Sequence, residues 1–548
     1  MKKQNEVKKD LKCTVEEFSK YDINSEFDLL ADEAKKEETN ELLIQEKHLA
    51  DLLLSIKEVD FVAEKNPKIL QLRAEHEKLA KKVLDKKGNP KDANSDDYIK
   101  YQSIDKQISS IKIRVREYSV LVIKIFKKIV IDNNYDLKVF EKEIVFYNGK
   151  YWQKITEESF SSFLSEVARK MGLKSLMYEH HTFGNDLIKQ FIHSNFRQHA
   201  VKTNVTAINL QNGTYKFING VGKLFPHNKN DNLNYILSFE YDESVTCPIF
   251  LNYLEHCLPE EDKRMVIQEF FGYVFTPNEV LNLEKCLLMY GSGSNGKSVL
   301  NNVMERIYGK INISSFSISK LTCKQRGEYY LASIQGKLLN YCSDTNGAID
   351  DSGVFKQLIS GERVSARHPS GRPFDYLNNC KFIFNVNSLP SSSDASNGYF
   401  RRFLIIHFNV VIEDRFKDGN LALKIIKNEL SGVFNWILLG LNRLLKNGFL
   451  SECNSSIIAA ENFRKKSDNV FDFLCEEQYE VVDNVELGVI FSELYEDYLR
   501  YLAINGGIPC RKVNFRERLN GLKLGGKEVH RNEKCNGNKH RVNIKRII

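Results

Sequence analysis

The segment GSGSNGKS fills residues 291–298 and has the residue types needed to hold a polyphosphate. Gly291, Gly293 and Gly296 let the backbone curl so that successive N–H groups point inward at phosphate oxygens. Ser292, Ser294 and Asn295 fill the turns between them. Lys297 is placed to reach β- and γ-phosphates, and the Ser298 hydroxyl to bind Mg²⁺. The spacing is that of a P-loop, and its surroundings agree with it. The apolar run CLLMY (286–290) predicts a buried strand before the loop. SVLNNVMERIYG after it predicts a helix whose positive N-terminal end faces the same anion. The expected ligands are therefore ATP and Mg²⁺.

Further chemistry follows downstream. GKLLNYCSDT places Asp344 just past a second apolar strand, where a Walker B acid would hold Mg²⁺ or polarise the attacking water. Only one acid stands at that strand end, so the choice between metal and water stays open. Asp350 and Asp351 read instead as the cap of the next helix. A third strand, KFIFNVNSLP, ends at Asn387, a polar amide suited to aligning a water against the γ-phosphate. Its rival, Asn385, lies inside the apolar run and reads as buried. GYFRRFLIIHF then sets Arg401 and Arg402 before a fourth strand, and one of the two is a candidate to neutralise transition-state charge across a subunit boundary. Between the second and third strands, RVSARHPSGRPF reads as a β-hairpin with a Ser-Gly turn at 370–371. It carries Arg363, Arg367, His368 and Arg372, basic side chains suited to a DNA backbone.

These residues need an alternating α/β domain to position them, and the apolar runs at 286–290, 338–342, 381–386 and 403–408 predict its parallel strands. The chain divides on pattern into four parts: a charged helical region over 1–140, an α+β region over 141–279, the P-loop domain over 280–464 and a basic unit over 465–548. In the second part, IVFYNGKYWQKI and AINLQNGTYKF read as hairpins. From residue 510 on, twelve Lys and Arg stand against three Glu. The order helix, helix, two short strands there suits a winged helix on DNA. Cys510, His530, Cys535 and His540 match no standard zinc spacing.

Composition sets bounds on the rest. The chain has 548 residues, 42% hydrophobic and 28% charged, with a net charge of +7, which permits nucleic-acid binding without requiring it. Eleven cysteines without a Cys-x-x-Cys pair argue for a reducing compartment. The basic start lacks the apolar core of a signal peptide, and no run is long enough to span a membrane, so a soluble, cytoplasmic protein is expected.

As a series, GSGSNGKS, GKLLNYCSDT, FKQLISGERVSARHPSGRPF, KFIFNVNSLP and the Arg401–Arg402 pair resemble the superfamily 3 helicase domain. That domain is found in phage and plasmid primase-helicases and in the poxvirus-type NTPase-primase. VFYNGKYWQKI, INLQNGTYKF and GVFNWILLGLNRLLKNG also resemble flanking parts of that family, so the likeness covers about residues 140–545. It implies an AAA+-like P-loop helicase core after an α+β pre-helicase domain. It also implies a hexameric or similar ring that moves on single-stranded and forked DNA by channel hairpins, during replication of a phage, plasmid or other mobile element. Lys297 and Ser298 then serve nucleotide and metal, Asp344 is the Walker B acid, Asn387 the sensor, the Arg401–Arg402 pair the finger, and Arg367 and His368 the channel hairpin. Family members commonly carry glutamate where this chain has Asp344. No Asp-x-Asp strand pattern stands in 1–140, so any primase or polymerase is expected to be a separate partner. A small-molecule kinase would share the loop but not the basic hairpin, the arginine pair or the basic end. An ATP-gated initiator that melts an origin without processive unwinding shares the same engine.

Overall fold

Apolar residues three and four apart build the first helices. In the computed structural model, residues 47–547 are described, apart from 48, 86, 134–135, 141–142, 196–204, 344–348, 370, 391–393, 395, 414, 416, 507, 521 and 532–539. The expected helical pattern before residue 47 and the acid Asp344 therefore lie outside the described residues. The chain forms two compact units, one of residues 1–201 with 227–235 and one of 202–226 with 236–548.

In the first unit, α1 (Phe61–Lys65) leads into α2 (Lys68–Val83) and α3 (Asp96–Ser110). The side chain of Ser95 accepts from Tyr98 N–H and so caps α3. α4 (Val115–Asp132) buries Leu121, Val122, Ile123, Phe126 and Val130. A three-stranded antiparallel sheet follows: β1 (Leu137–Phe140), β2 (Glu143–Tyr147) and β3 (Trp152–Ile155). Next come α5 (Glu157–Lys170), α6 (Ser175–Tyr178) and α7 (His181–Asn195). Phe126 of α4, Phe146 of β2, Phe160 of α5 and Phe191 of α7 share one core. The division expected at 140 thus falls inside this core, because Phe126 of α4 packs against Phe163 and Phe191, beyond that point in the chain.

The second unit opens on an antiparallel sheet of β4 (Ala207–Leu210), β5 (Gly213–Ile218) and β6 (Val221–Phe225), then α8 (Pro248–Cys257) and α9 (Glu261–Tyr273). Its centre is a five-stranded, all-parallel sheet of β7 (Cys286–Tyr290), β8 (Ile313–Ser314), β9 (Leu339–Cys342), β12 (Lys381–Val386) and β13 (Phe403–His407). The spatial order is β13-β7-β12-β9-β8. The chain leaves β7 for the far edge and returns, so β12 lies directly beside β7. Such a switch in strand order leaves a crevice at the carboxyl ends of the strands. The four expected strands are present, and β8, two residues at the edge, adds a fifth.

The 27-residue α15 (Leu421–Asn447) packs against α8 and α9. Its buried Glu429 accepts from the N–H groups of Ile249 and Phe250, both at 2.9 Å, capping α8 at its positive end. Arg443 pairs with the fully buried Glu269 of α9. A Cβ on Gly272 would come within 2.6 Å of Leu441, so only glycine lets the two helices approach this closely. The division expected at 279/280 therefore also falls inside one packed body.

Lys381 opens β12 and is only 4% exposed. Its ammonium takes the Asn278 Oδ1 and lies 4.4 Å from the centre of the Tyr273 ring. Burial pushes its pKa down to about 7 from the ordinary 10.5. Between these values the unfolded chain holds a proton that the folded chain has lost, so this residue makes stability rise with pH across that window. Melting temperatures of the parent and Lys381→Met, measured from pH 7 to 10, should show the parent closing a gap on a variant that is the more stable at pH 7. A gap constant with pH would count against this account.

The C-terminal unit has its own core, including Phe473, Leu494, Tyr498, Phe515 and Val542. It comprises α17 (Asn469–Glu476), β14 (Tyr479–Val481), β15 (Val489–Ile490), α18 (Phe491–Asn505), α19 (Lys512–Leu519), β18 (Arg541–Val542) and β19 (Ile544–Arg546). α16 (Asn454–Ser467) precedes it, and the short strands β16 (Lys523–Leu524) and β17 (Lys527–Glu528) stand between α19 and β18. β15 pairs with β18 and β14 with β19. Among the described residues no helix is long and apolar enough to cross a membrane.

Candidate functional site

Residues 291–298 join β7 to α10 (Lys297–Tyr308) at the carboxyl edge of the sheet. The loop turns through positive φ at Gly293 (103°), Ser294 (50°) and Gly296 (85°). The Gly291 N–H donates to the Val386 carbonyl at 3.1 Å, which ties the loop to the end of β12. The N–H groups of residues 292–298 have no acceptor among the described residues. A run of unengaged N–H groups at a helix N-terminus forms a concave, positively polarised nest for an anion.

Lys297 is 7% exposed, and its ammonium donates to the Gly291 carbonyl (2.8 Å) and to Asn295 Oδ1 (3.0 Å). Burial holds its pKa below the ordinary lysine value. No carboxylate pairs with it among the described residues, so a bound phosphate would supply the charge it lacks. Asn295 in turn donates from Nδ2 to the Phe408 carbonyl at 3.2 Å, which anchors the loop to the end of β13. Ser298 is exposed on the first turn of α10.

Sequence reading missed Tyr253, whose hydroxyl donates to the Gly296 carbonyl at 2.7 Å. A Cβ on Gly296 would collide with the Cys257 sulfur, so glycine is required for the loop to sit against α8. No local pattern around Tyr253 signals this contact, since it comes from a helix some forty residues earlier.

The remaining candidates separate by position. Asn387 is exposed just past the tip of β12, one residue beyond the carbonyl that receives Gly291 N–H. Asn385 is buried within the strand, with Tyr341 Oη at 3.5 Å. Asp351 accepts from Gly353 and Val354 N–H and caps α13 (Ser352–Ile359), as its sequence position suggested.

Arg402 is buried, with Nη2 donating to Ser360 Oγ at 2.6 Å and Nη1 to the Gly398 carbonyl. Arg401 is 56% exposed and pairs with Glu284 at 2.6 Å. Both stand at the amino end of β13, and β13 runs parallel to β7 with Phe403 opposite Cys286 and His407 opposite Tyr290. At strand rise, Arg401 lies roughly 17 Å from its own chain's loop at the other end of the sheet.

The hairpin forms as β10 (Arg363–Ala366) and β11 (Phe374–Leu377), paired from Arg363–Leu377 to Ala366–Phe374. Its connection spans 367–373 and is longer than a two-residue turn. Arg363, His368 and Arg372 are exposed. Arg367 is not presented in the same way. Its Nε donates to the Gly371 carbonyl at 3.1 Å and its Nη1 lies 3.8 Å from Glu328, so it braces the loop. His368 stacks on Phe374, with ring centres 5.1 Å apart. In the C-terminal unit, Cys510 contacts the Tyr498 hydroxyl and His530 contacts Asn543. No cluster able to hold a metal occurs among the described residues.

Residues 128–259 match the family described as "D5 N terminal like", and residues 289–402 match a family of unknown function, DUF5906. A protein of Invertebrate iridescent virus 6 named "Putative helicase 184R" is 22% identical over 300 residues, covering 46% of this chain and 29% of that protein. The chain thus spans under a third of the length of the curated relative it matches. An apo structure of the NrS-1 C-terminal region aligns at 12% identity and TM-score 0.39, covering 76% of this chain and 97% of that one. Another apo structure of that region aligns at 14% identity and TM-score 0.37, covering 78% of this chain and 99% of that one. The D5-like segment and the viral relative each match only part of this chain.

Proposed function

We propose that this chain is an ATP-driven, ring-forming DNA helicase of the superfamily 3 type that moves on single-stranded DNA and opens duplex during replication of a mobile element. The observation that carries this reading is the loop at 291–298, with its unengaged N–H groups and a buried Lys297 ammonium that lacks a carboxylate. A triphosphate fits that deficit of negative charge. Lys297 neutralises the β- and γ-phosphates, and Asn387 orients the attacking water. Ser298 with Asp344 would hold Mg²⁺, which neutralises phosphate charge when bound. Arg401, too far from its own loop, serves the site of a neighbouring copy. The basic C-terminal unit contacts duplex. The DNA-contacting part of the hairpin is reassigned to Arg363, His368 and Arg372, because Arg367 is engaged within its own loop.

The full chain should assemble with ATP and Mg²⁺, hydrolyse ATP faster with single-stranded DNA, and separate a forked duplex. Assembled rings whose ATPase ignores DNA would overturn the helicase reading, and DNA stimulation without strand separation would favour the initiator. Replacing Arg363 and Arg372 by alanine should leave DNA-free hydrolysis near the parent's and depress stimulation and unwinding. The salt dependence of single-strand binding should flatten by roughly 0.7 in log–log slope per charge removed. An unchanged slope would take the hairpin out of the DNA path.

A further inference from the structure

The arginine pair is gripped by the segment that leads into β7. Asn282 Nδ2 donates to the Ser360 carbonyl at 2.8 Å, and Ser360 Oγ accepts from Arg402. The Glu284 carboxylate receives Arg401 Nη2 at 2.6 Å and lies 3.5 Å from Arg402 Nη2. The Lys285 ammonium donates to the Arg401 carbonyl, and the Cys286 N–H donates to the Arg402 carbonyl at 2.8 Å. Glu284 itself sits at φ 50°, a left-handed conformation that a glutamate rarely takes. Its N–H is met by Asn282 Oδ1 at 3.3 Å, which braces that turn.

We propose that Glu284 is the positioning residue for Arg401. The proposal rests on the reading that Arg401 acts on a neighbouring copy's nucleotide. A guanidinium offers five N–H donors in a rigid, planar fork. Glu284 takes the Nη2 edge, and no other acceptor holds the Arg401 side chain among the described residues. That contact biases the orientation of the guanidinium while Nη1 and Nε stay available to an incoming anion. An unheld arginine would have to give up all of its rotamer freedom at the moment it met phosphate, whereas this one has already given up part of it. The segment that fixes the guanidinium continues into β7, and β7 opens at its other end into the 291–298 loop. One strand thus joins each chain's own nucleotide loop to the arginine it lends outward.

The test is a double-mutant cycle in the full chain, with assembly confirmed for every variant and kcat and KM for ATP measured on the parent, Glu284→Ala, Arg401→Ala and the double variant. Glu284→Ala should lower kcat by about fivefold, the ceiling for a half-exposed ion pair, with KM unchanged because the chain's own nucleotide loop is untouched. The double variant should be no slower than Arg401→Ala alone, since nothing remains for Glu284 to position. Glu284→Gln, which keeps an acceptor, should recover part of the loss. Additive losses in the double variant would assign Glu284 a structural role and overturn the proposal. So would a kcat at or above the parent's in Glu284→Ala while Arg401→Ala is inactive, and in that case the reading of Arg401 would stand. Parent-like turnover in Arg401→Ala would overturn both.

Discussion

Lys297→Ala should stop ATP turnover and leave the fold intact. In the folded chain the Lys297 ammonium is desolvated and answered only by two neutral oxygens, those of Gly291 and Asn295. A buried cation without a counter-charge contributes little to stability and can oppose it. Its removal should therefore leave the melting temperature within about 3 °C of the parent's, a shift of order 1 kcal/mol for a unit of this size. Catalysis has no such tolerance. The triphosphate would bring its negative charge into the low-dielectric nest, and the lysine is the one full positive charge that the loop itself supplies. Losing a preorganised group of this kind costs at least about 10²–10³-fold in turnover. Steady-state hydrolysis beside a thermal melt checks both halves. Normal turnover in a folded variant would remove the phosphate-site assignment, and a collapsed melt would show that the ammonium holds the loop itself together.

What the sequence discloses about this site depends on how local each determinant is. The loop, its preceding strand and its following helix are contiguous, so glycine chemistry and periodicity were enough to define them. Asn387 could be separated from Asn385 because the apolar run ends between them and the sheet buries what lies inside it. β8 could not be read, since two residues carry no alternation. The two arginines looked equivalent for a different reason. They are neighbours of the same type, and which of them faces inward is decided by Ser360, some forty residues away, and by the Gly398 carbonyl. The setting of Arg367 is hidden in the same way. Its basic neighbours suggested a DNA contact, while Glu328, in an earlier helix, turns it toward the protein. The divisions at 140 and 279/280 were drawn where composition changes. α4 packs across the first and α15 across the second, and composition carries no trace of such packing. Asp344, the expected Walker B acid, lies outside the described residues, so its part in the site stays a sequence reading.

Arg401→Ala should bind ATP and barely hydrolyse it, and a second inactive variant should rescue it. The first half follows from the class of group involved. A guanidinium that meets transition-state charge on a transferring phosphoryl contributes about 10³-fold or more to turnover and little to ground-state binding. The second half follows from the geometry of β13. Arg401 stands at the amino end of that strand, and the loop of its own chain lies past the carboxyl end of the neighbouring β7. No side chain spans that length, so on the proposed reading the arginine serves another copy's nucleotide. A Lys297→Ala chain retains its arginine but has lost its loop, and an Arg401→Ala chain retains its loop but has lost its arginine. Where the two meet in the right order, one intact loop faces one intact arginine, and hydrolysis returns at that boundary alone. Activity should rise from near zero in either pure variant to a maximum at intermediate mixing ratios. Arg402→Ala should behave differently, since its guanidinium is buried against Ser360 and Gly398, and its loss should register in the melt. No recovery at any ratio, with mixed assemblies demonstrated by sizing of differently tagged chains, would mean that Arg401 only supports the fold and lends nothing to a neighbouring copy. The ion pair with Glu284 would then be the whole of its role.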